Sequence, residues 1–228
     1  MGKKATLCSC AKWLFHFIYS NTLMFKGIYV ITDEFLTPKS SIYTQVEEAL
    51  EAGATIVQLR DKESSDADLL PLAEQLQELC RRHKATFIIN DRVELAQKMG
   101  ADGVHIGFHD LSIREARTLL GPDKIIGISC YGDLDRAEKG IEAGADYVAF
   151  GAFFPSPTKP KAAVVDKALI AEAKKRFQVP VCVIGGITTE NISELAPYGA
   201  DLYATVSAVF GAHSITDAIY ELKSKTHL

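Results

Sequence analysis

Four times along this 228-residue chain a Gly-Ala pair is followed by Asp or Thr: Gly53-Ala54-Thr55, Gly100-Ala101-Asp102, Gly144-Ala145-Asp146 and Gly199-Ala200-Asp201. Each copy closes a segment of helical period and opens a short β-rich run, where a left-handed glycine is the expected helix terminator. The copies lie 47, 44 and 55 residues apart, and each interval holds two apolar runs. Eight runs are predicted as strands: Gly27–Ile31, Thr55–Leu59, Ala85–Ile89, Gly103–Ile106, Lys124–Ile128, Tyr147–Phe150, Val181–Ile184 and Leu202–Val206. Between them lie amphipathic segments. One reads as helical around Tyr43–Ala52, and another places Leu69, Leu72, Ala73, Leu76, Leu79 and Cys80 on one helical face behind a Ser65 N-cap. Strands alternating with helices specify βα units and a parallel sheet. Eight units fit the body of the chain, near the lower length bound of a closed (β/α)8 TIM barrel. The competing open doubly wound sheet usually carries G-x-G-x-x-G after its first strand, and no such turn occurs here. The predicted fold is a single-domain α/β barrel.

Hydrophobic residues make up 47% and charged residues 24%, which excludes a disordered, collagen-like or disulfide-scaffold chain. A net charge of −4 argues against a dedicated nucleic-acid binder. Five Cys, an odd number without metal-type pairing, point to a reduced cytoplasmic protein. Residues 1–23 read as a loosely ordered N-terminal extension and 24–228 as the barrel. The extension carries Lys3, Lys4 and Lys12, no acid, and a short apolar run from Trp13 to Tyr19. His16 interrupts that run, which matches neither a signal peptide nor a membrane helix of about 20 apolar residues. Cys8 and Cys10 alone make an incomplete zinc shell. Small phosphorylated molecules are the expected partners, without membrane or nucleic acid; the sequence leaves open whether the chain forms a homo-oligomer.

Active sites of such barrels form at the carboxyl ends of the strands. Those ends carry Gln58-Leu59-Arg60-Asp61-Lys62, Asn90-Asp91-Arg92, His105 through Asp110, Ser129-Cys130-Tyr131, Ser156-Pro157-Thr158-Lys159, Gly185-Gly186-Ile187 and Val206-Ser207. Each has an ordinary structural reading. Arg60 and Lys62 could be a solvated loop pair, and Asp91 and Asp110 could cap the helices that follow them. His105 reads as a packed core histidine, and Gly185-Gly186 as a tight turn. Their common location on one rim favours a site.

Glycines after strand seven and Val-Ser after strand eight suit the phosphate position that recurs in this fold. Arg60, Lys62 and Lys159 offer a second anion clamp. Asp91 and Asp110 could hold Mg2+, which takes one or two carboxylates plus phosphate oxygens and water. The mouth reads as built for two phosphorylated groups, one of them metal-bound.

Gln58 through Lys62, Asn90 through Arg92, Gly103-Val104-His105-Ile106-Gly107 with Asp110, Thr158-Lys159-Pro160 and Ile184 through Ile187 together resemble the thiamine-phosphate synthase family, in family order from Gly27 to about Phe210. The resemblance implies joining a hydroxymethylpyrimidine diphosphate to a thiazole phosphate, with release of diphosphate. It implies that Gln58, Leu59, Arg60, Asp61, Lys62, Asn90, Ser129 and Lys159 bind the pyrimidine diphosphate and that Asp91 and Asp110 bind Mg2+. Ser156, Pro157, Thr158, Gly186, Val206 and Ser207 would bind the thiazole phosphate. Arg60, Lys62, Lys159 and Ser129 would be catalytic in a dissociative reaction, with the loop from Phe153 to Ala163 as a lid. Three positions depart from the pattern: Phe108 replaces a common polar residue, Ser156 a common Thr, and Tyr131 a frequent His. The last separates the chain from the sister thiazole tautomerases, which depend on that His. A tautomerase and a non-catalytic phosphate-binding barrel are the alternatives. A Schiff-base aldolase would need a buried neutral amine, which is unexpected among so many anion ligands.

Overall fold

A computed structural model describes residues 25–107, 112–155 and 163–226. The N-terminal extension lies outside them. The strands are β1 (Gly27–Ile31), β2 (Ile56–Leu59), β3 (Thr86–Asn90), β4 (Gly103–Ile106), β5 (Ile125–Tyr131), β6 (Tyr147–Phe150), β7 (Val181–Ile184) and β8 (Leu202–Thr205). They form a closed parallel barrel in chain order, with β8 pairing back onto β1. The helices are α1 (Ile42–Glu51), α2 (Asp66–Arg82), α3 (Val93–Met99), α4 (Ile113–Leu120), α5 (Leu134–Glu142), α6 (Ala168–Arg176), α7 (Ser207–Phe210) and α8 (Ile215–Thr226). Between β7 and β8, two 3-10 turns stand where a helix was expected, at Ile192–Glu194 and Ala196–Tyr198.

The strands are nearly all apolar because both of their faces are covered. Alternation sends Tyr29, Ile31, Ile56, Ile88, Tyr147, Ala149, Cys182, Leu202 and Ala204 into the barrel. It sends Ile28, Val30, Val57, Leu59, Phe87, Ile89, Val104 and Ile106 outward into the layer under the helices. Helix α2 meets that layer through Leu69, Ala73, Leu76, Leu79 and Cys80, and the Ser65 hydroxyl accepts from the Asp68 N–H at 3.2 Å, as the sequence predicts.

The Gly-Ala repeat now has a physical account. Gly53, Gly100, Gly144 and Gly199 all have positive φ, between 68° and 106°. After the first three of these glycines the alanine N–H reaches back five residues, Ala54 to Ala49, Ala101 to Ala96 and Ala145 to Gly140, each at 2.9 Å. That bond closes the helix end in the Schellman manner. The alanines are small enough to be buried. The aspartates then pin the amino end of the barrel: Asp102 accepts from Phe87 N–H at 2.8 Å, Asp146 from Ile126 N–H at 2.7 Å, and Asp201 from Val181 N–H at 2.8 Å. Each therefore ties an even strand to the odd strand before it. In the Thr copy the link runs to β1, with the Thr55 hydroxyl donating to the Ile28 carbonyl at 3.3 Å.

Asp146 also pairs with Arg117, whose guanidinium holds the carbonyls of Gly121, Lys124 and Gly144. Asp146→Ala strands the Ile126 N–H and loosens that cluster. The expected loss is about 2 kcal/mol. It should appear in thermal denaturation as a fall of roughly 2–4 °C per kcal/mol.

Candidate active site at the carboxyl mouth of the barrel

The ends of β1, β2 and β3 are tied together by charge. The Thr32 hydroxyl accepts from Arg60 N–H at 2.9 Å, fixing the backbone where β2 leaves the barrel. Glu34 reaches across from the β1 loop: one carboxylate oxygen lies 3.2 Å from the Arg60 guanidinium, and the other accepts from Lys62 N–H at 2.9 Å. The Lys62 ammonium in turn sits 3.4 Å from Asp91 Oδ2, which also accepts from Asn90 Nδ2 at 2.6 Å. Arg60 and Lys62 are thus held in a mixed-charge array and are not an independent solvated pair. Asp91 adopts φ 62°, which turns the chain sharply after β3.

Asp61 behaves differently. Its oxygens accept from Glu63 N–H, Ser64 N–H and the Ser64 hydroxyl. Its carboxyl lies below the usual range; partial burial opposes that shift, and the Ser64 and Glu63 donors outweigh it. Arg92 completes the loop by donating to the carbonyls of Asp61 and Ser64 and pairing with Asp66. A cleft of about 180 Å3 opens beside this loop, lined among others by Asp33, Glu34, Arg60, Asp61 and Ser64.

Below the rim, a chain of hydrogen bonds crosses the barrel interior. Gln58 Nε2 donates to the Tyr29 hydroxyl at 2.6 Å, and that hydroxyl lies 3.0 Å from the Tyr147 hydroxyl. The Tyr147 oxygen lies 2.8 Å from His105 Nδ1, and His105 Nε2 lies 2.9 Å from the Ser129 oxygen. Burial pushes both tyrosines above their ordinary range. Burial also pushes His105 down to about 4, against the opposing pull of the Asp91 charge, so its ring is neutral at pH 7. This chain leads from the floor of the mouth to a serine on its wall.

On the opposite side, Gly185 and Gly186 have φ 99° and 66°. A Cβ on Gly186 would stand 2.5 Å from the Phe154 carbonyl oxygen, so only glycine allows that approach. Asn191 Nδ2 holds the Gly186 carbonyl at 2.8 Å. Among the described residues, nothing accepts from the backbone N–H of Gly186, Val206 or Ser207. Unclaimed N–H groups on adjacent strand ends make a place for an anion.

The structure brings Gln58, Arg60, Lys62, Asn90, Asp91, Ser129, Gly186, Val206 and Ser207 to the carboxyl end of one barrel. At two of the expected positions the side chain is engaged away from the mouth. The Leu59 side chain packs outward beneath the helices, because it is out of phase with Gln58. The Asp61 carboxylate is occupied within its own loop. Ser129 lies inside β5, which runs three residues beyond its predicted end through an irregularity between Ser129 and Tyr131. The cap reading of Asp91 fails, since Arg92 is the N-cap of α3 and no side chain caps it. Helix α4 is capped by Ser112 in a capping box with Glu115. Asp110, Phe108, Ser156, Pro157, Thr158 and Lys159 lie outside the described residues. Sequence reasoning missed Glu34, Tyr29 and Tyr147. For the tyrosines, the inward phase of β1 and β6 was the available signal.

A closed parallel barrel with charged and polar groups gathered at its carboxyl mouth places the chain among the (β/α)8-barrel enzymes. Residues 28–209 match the family model described as thiamine monophosphate synthase. Thiamine-phosphate synthase of Thiobacillus denitrificans is 49% identical over 197 residues, covering 86% of this chain and 92% of that protein. The same-named protein of Wolinella succinogenes is 47% identical, covering 81% of this chain and 86% of its own length. The solved thiamine phosphate pyrophosphorylase of Pyrococcus furiosus superposes with a TM-score of 0.81 at 35% identity, covering 90% of this chain and 98% of that one. The chain belongs to the thiamine monophosphate synthase family. Among the described residues, no helix is long and apolar enough to cross a membrane.

Proposed function

We propose that the chain condenses 4-amino-2-methyl-5-(diphosphooxymethyl)pyrimidine with 4-methyl-5-(2-phosphooxyethyl)thiazole, giving thiamine phosphate and diphosphate. The observation that carries the reading is the charge array at the mouth, with Arg60 held by Glu34 and Lys62 by Asp91. In a dissociative reaction the carbon–oxygen bond breaks first and its electron pair leaves with the diphosphate. The thiazole nitrogen then donates its lone pair to the exocyclic carbon. Arg60 and Lys62, joined by Lys159 from the β6 loop, would stabilise the negative charge where it develops. Fixed cations need no reorganisation at that moment. Gly186, Val206 and Ser207 would cradle the thiazole phosphate through N–H groups that no described residue claims, and the family resemblance assigns Ser156, Pro157 and Thr158 to the same phosphate. Asn90 and Ser129 would meet the pyrimidine substrate.

The donor set fits a hard divalent cation. Asp91 Oδ1 accepts no hydrogen bond from any described residue, while Oδ2 is held by Asn90 and Lys62. No group of three acids, His or Cys surrounds it among the described residues, so a metal there would complete its shell with substrate oxygens and water. When bound, Mg2+ would neutralise charge on the departing diphosphate, held by Asp91 together with Asp110. The buried free thiols of Cys80, Cys130 and Cys182 support a reducing, cytoplasmic setting.

Incubation of both substrates with Mg2+ should release diphosphate in step with thiamine phosphate, and chelation should stop it. Asp91→Asn should raise the Mg2+ concentration needed for half-maximal rate by roughly tenfold or more. Failure to form thiamine phosphate with both substrates and metal present would overturn the assignment. A tautomerase would convert a thiazole phosphate without releasing diphosphate.

A further inference from the structure

We propose that the hydrogen-bond chain inside the barrel fixes His105 as the Nε2–H tautomer and so turns the Ser129 hydroxyl proton outward, toward an acceptor on the bound pyrimidine diphosphate. The role assigned to Ser129 rests on the function proposed above; the tautomer does not.

The direction follows from counting protons. The Gln58 amide nitrogen can only donate, so Tyr29 accepts from it. Tyr29 has one proton of its own and is buried at 1% exposure. Among the described residues its remaining neighbour in hydrogen-bond range is the Tyr147 hydroxyl at 3.0 Å. If Tyr147 donated instead, the Tyr29 proton would face a fully buried core without an acceptor, which costs about 1–3 kcal/mol. Tyr29 therefore donates to Tyr147. Tyr147 is 0% exposed and must place its own proton on His105 Nδ1 at 2.8 Å. With Nδ1 accepting, the ring proton sits on Nε2 and is donated to the Ser129 oxygen at 2.9 Å. The Ser129 proton is then left free to point into the mouth. Both ring nitrogens of His105 face hydroxyls, and among the described residues neither faces a carboxylate, so a second ring proton would reverse the Tyr147 link and strand the Tyr29 proton.

His105, Tyr147 and Tyr29 thus act as positioning residues. They give Ser129 the polarity of a donor, which is the polarity a ring nitrogen or phosphate oxygen requires. A lone serine on the wall could rotate either way.

The test is spectroscopic first. In the full chain labelled with 15N, correlation of the imidazole nitrogens with their carbon-bound protons should show a protonated Nε2 and a bare Nδ1 for His105. A protonated Nδ1 would overturn the proposal, because it means the whole chain runs in reverse from a flipped Gln58 amide. Kinetics provide the second arm. Tyr147→Phe breaks the relay and should lower kcat/KM for the pyrimidine diphosphate about tenfold while leaving KM for the thiazole phosphate unchanged. Ser129→Ala in that background should cost much less than it does in the parent chain, since the two act as one unit. Fully multiplicative losses would also overturn the relay. A protein with the expected tautomer that forms no thiamine phosphate would refute the reaction and leave the relay standing.

Discussion

Arg60→Ala is expected to lower kcat/KM for the pyrimidine diphosphate by about 10²–10³-fold, the scale of losing one preorganised donor to a developing anion. The melting temperature should barely move. The Arg60–Glu34 pair is part-exposed, with side chains 31% and 24% accessible, and pairs of that kind contribute at most about 1 kcal/mol. Arg60→Lys should recover little. One guanidinium nitrogen is spent on Glu34, and the others remain to face an anion; a single ammonium cannot do both. Steady-state kinetics beside thermal denaturation distinguish the cases. Unchanged kinetics in a folded variant would remove Arg60 from the reaction.

Gly127→Ala should damage the barrel with a single methyl. A Cβ at that position would lie 2.0 Å from Tyr147 Cζ and 2.4 Å from its hydroxyl oxygen. The ring has nowhere to go. It is fully buried, tilted against Phe25 at 5.5 Å and edge-on to Tyr29 at 6.3 Å, and tethered through its hydroxyl at both Tyr29 and His105. Overpacking of this kind costs about 3 kcal/mol or more. That corresponds to a fall in Tm of roughly 6–12 °C at about 2–4 °C per kcal/mol. What folds should also have lost the relay, so activity below the transition should drop as well. An unchanged Tm would mean that the Tyr147 ring is free to move.

These two positions differ in how far they could be read from the chain. Arg60 was legible because a cation at a strand end is a recognisable feature wherever the barrel order is known. Its partner Glu34 was not, since a glutamate in a loop 26 residues upstream carries no local mark. Asp61 shows the opposite case. Its spacing to Glu63 and Ser64 is the local signature of an Asx turn, and the structure uses it that way. Gly127 looked like one more small residue in a strand, and only the approach of β6 shows why no side chain can stand there.

The barrel itself was written into local pattern. Glycine caps, the small buried alanines and the alternating strands act within a few residues of one another, so reading along the chain recovers strand order, most helices and the rim on which chemistry would gather. The interior relay belongs to tertiary structure alone. Its members come from β1, β2, β4, β5 and β6 and are separated by as many as 118 residues, and they meet only because barrel closure and register bring inward-facing hydroxyls level with one another. A hydrogen bond of that reach depends on ångström-scale placement of distant strands, and no stretch of sequence encodes such a distance by itself.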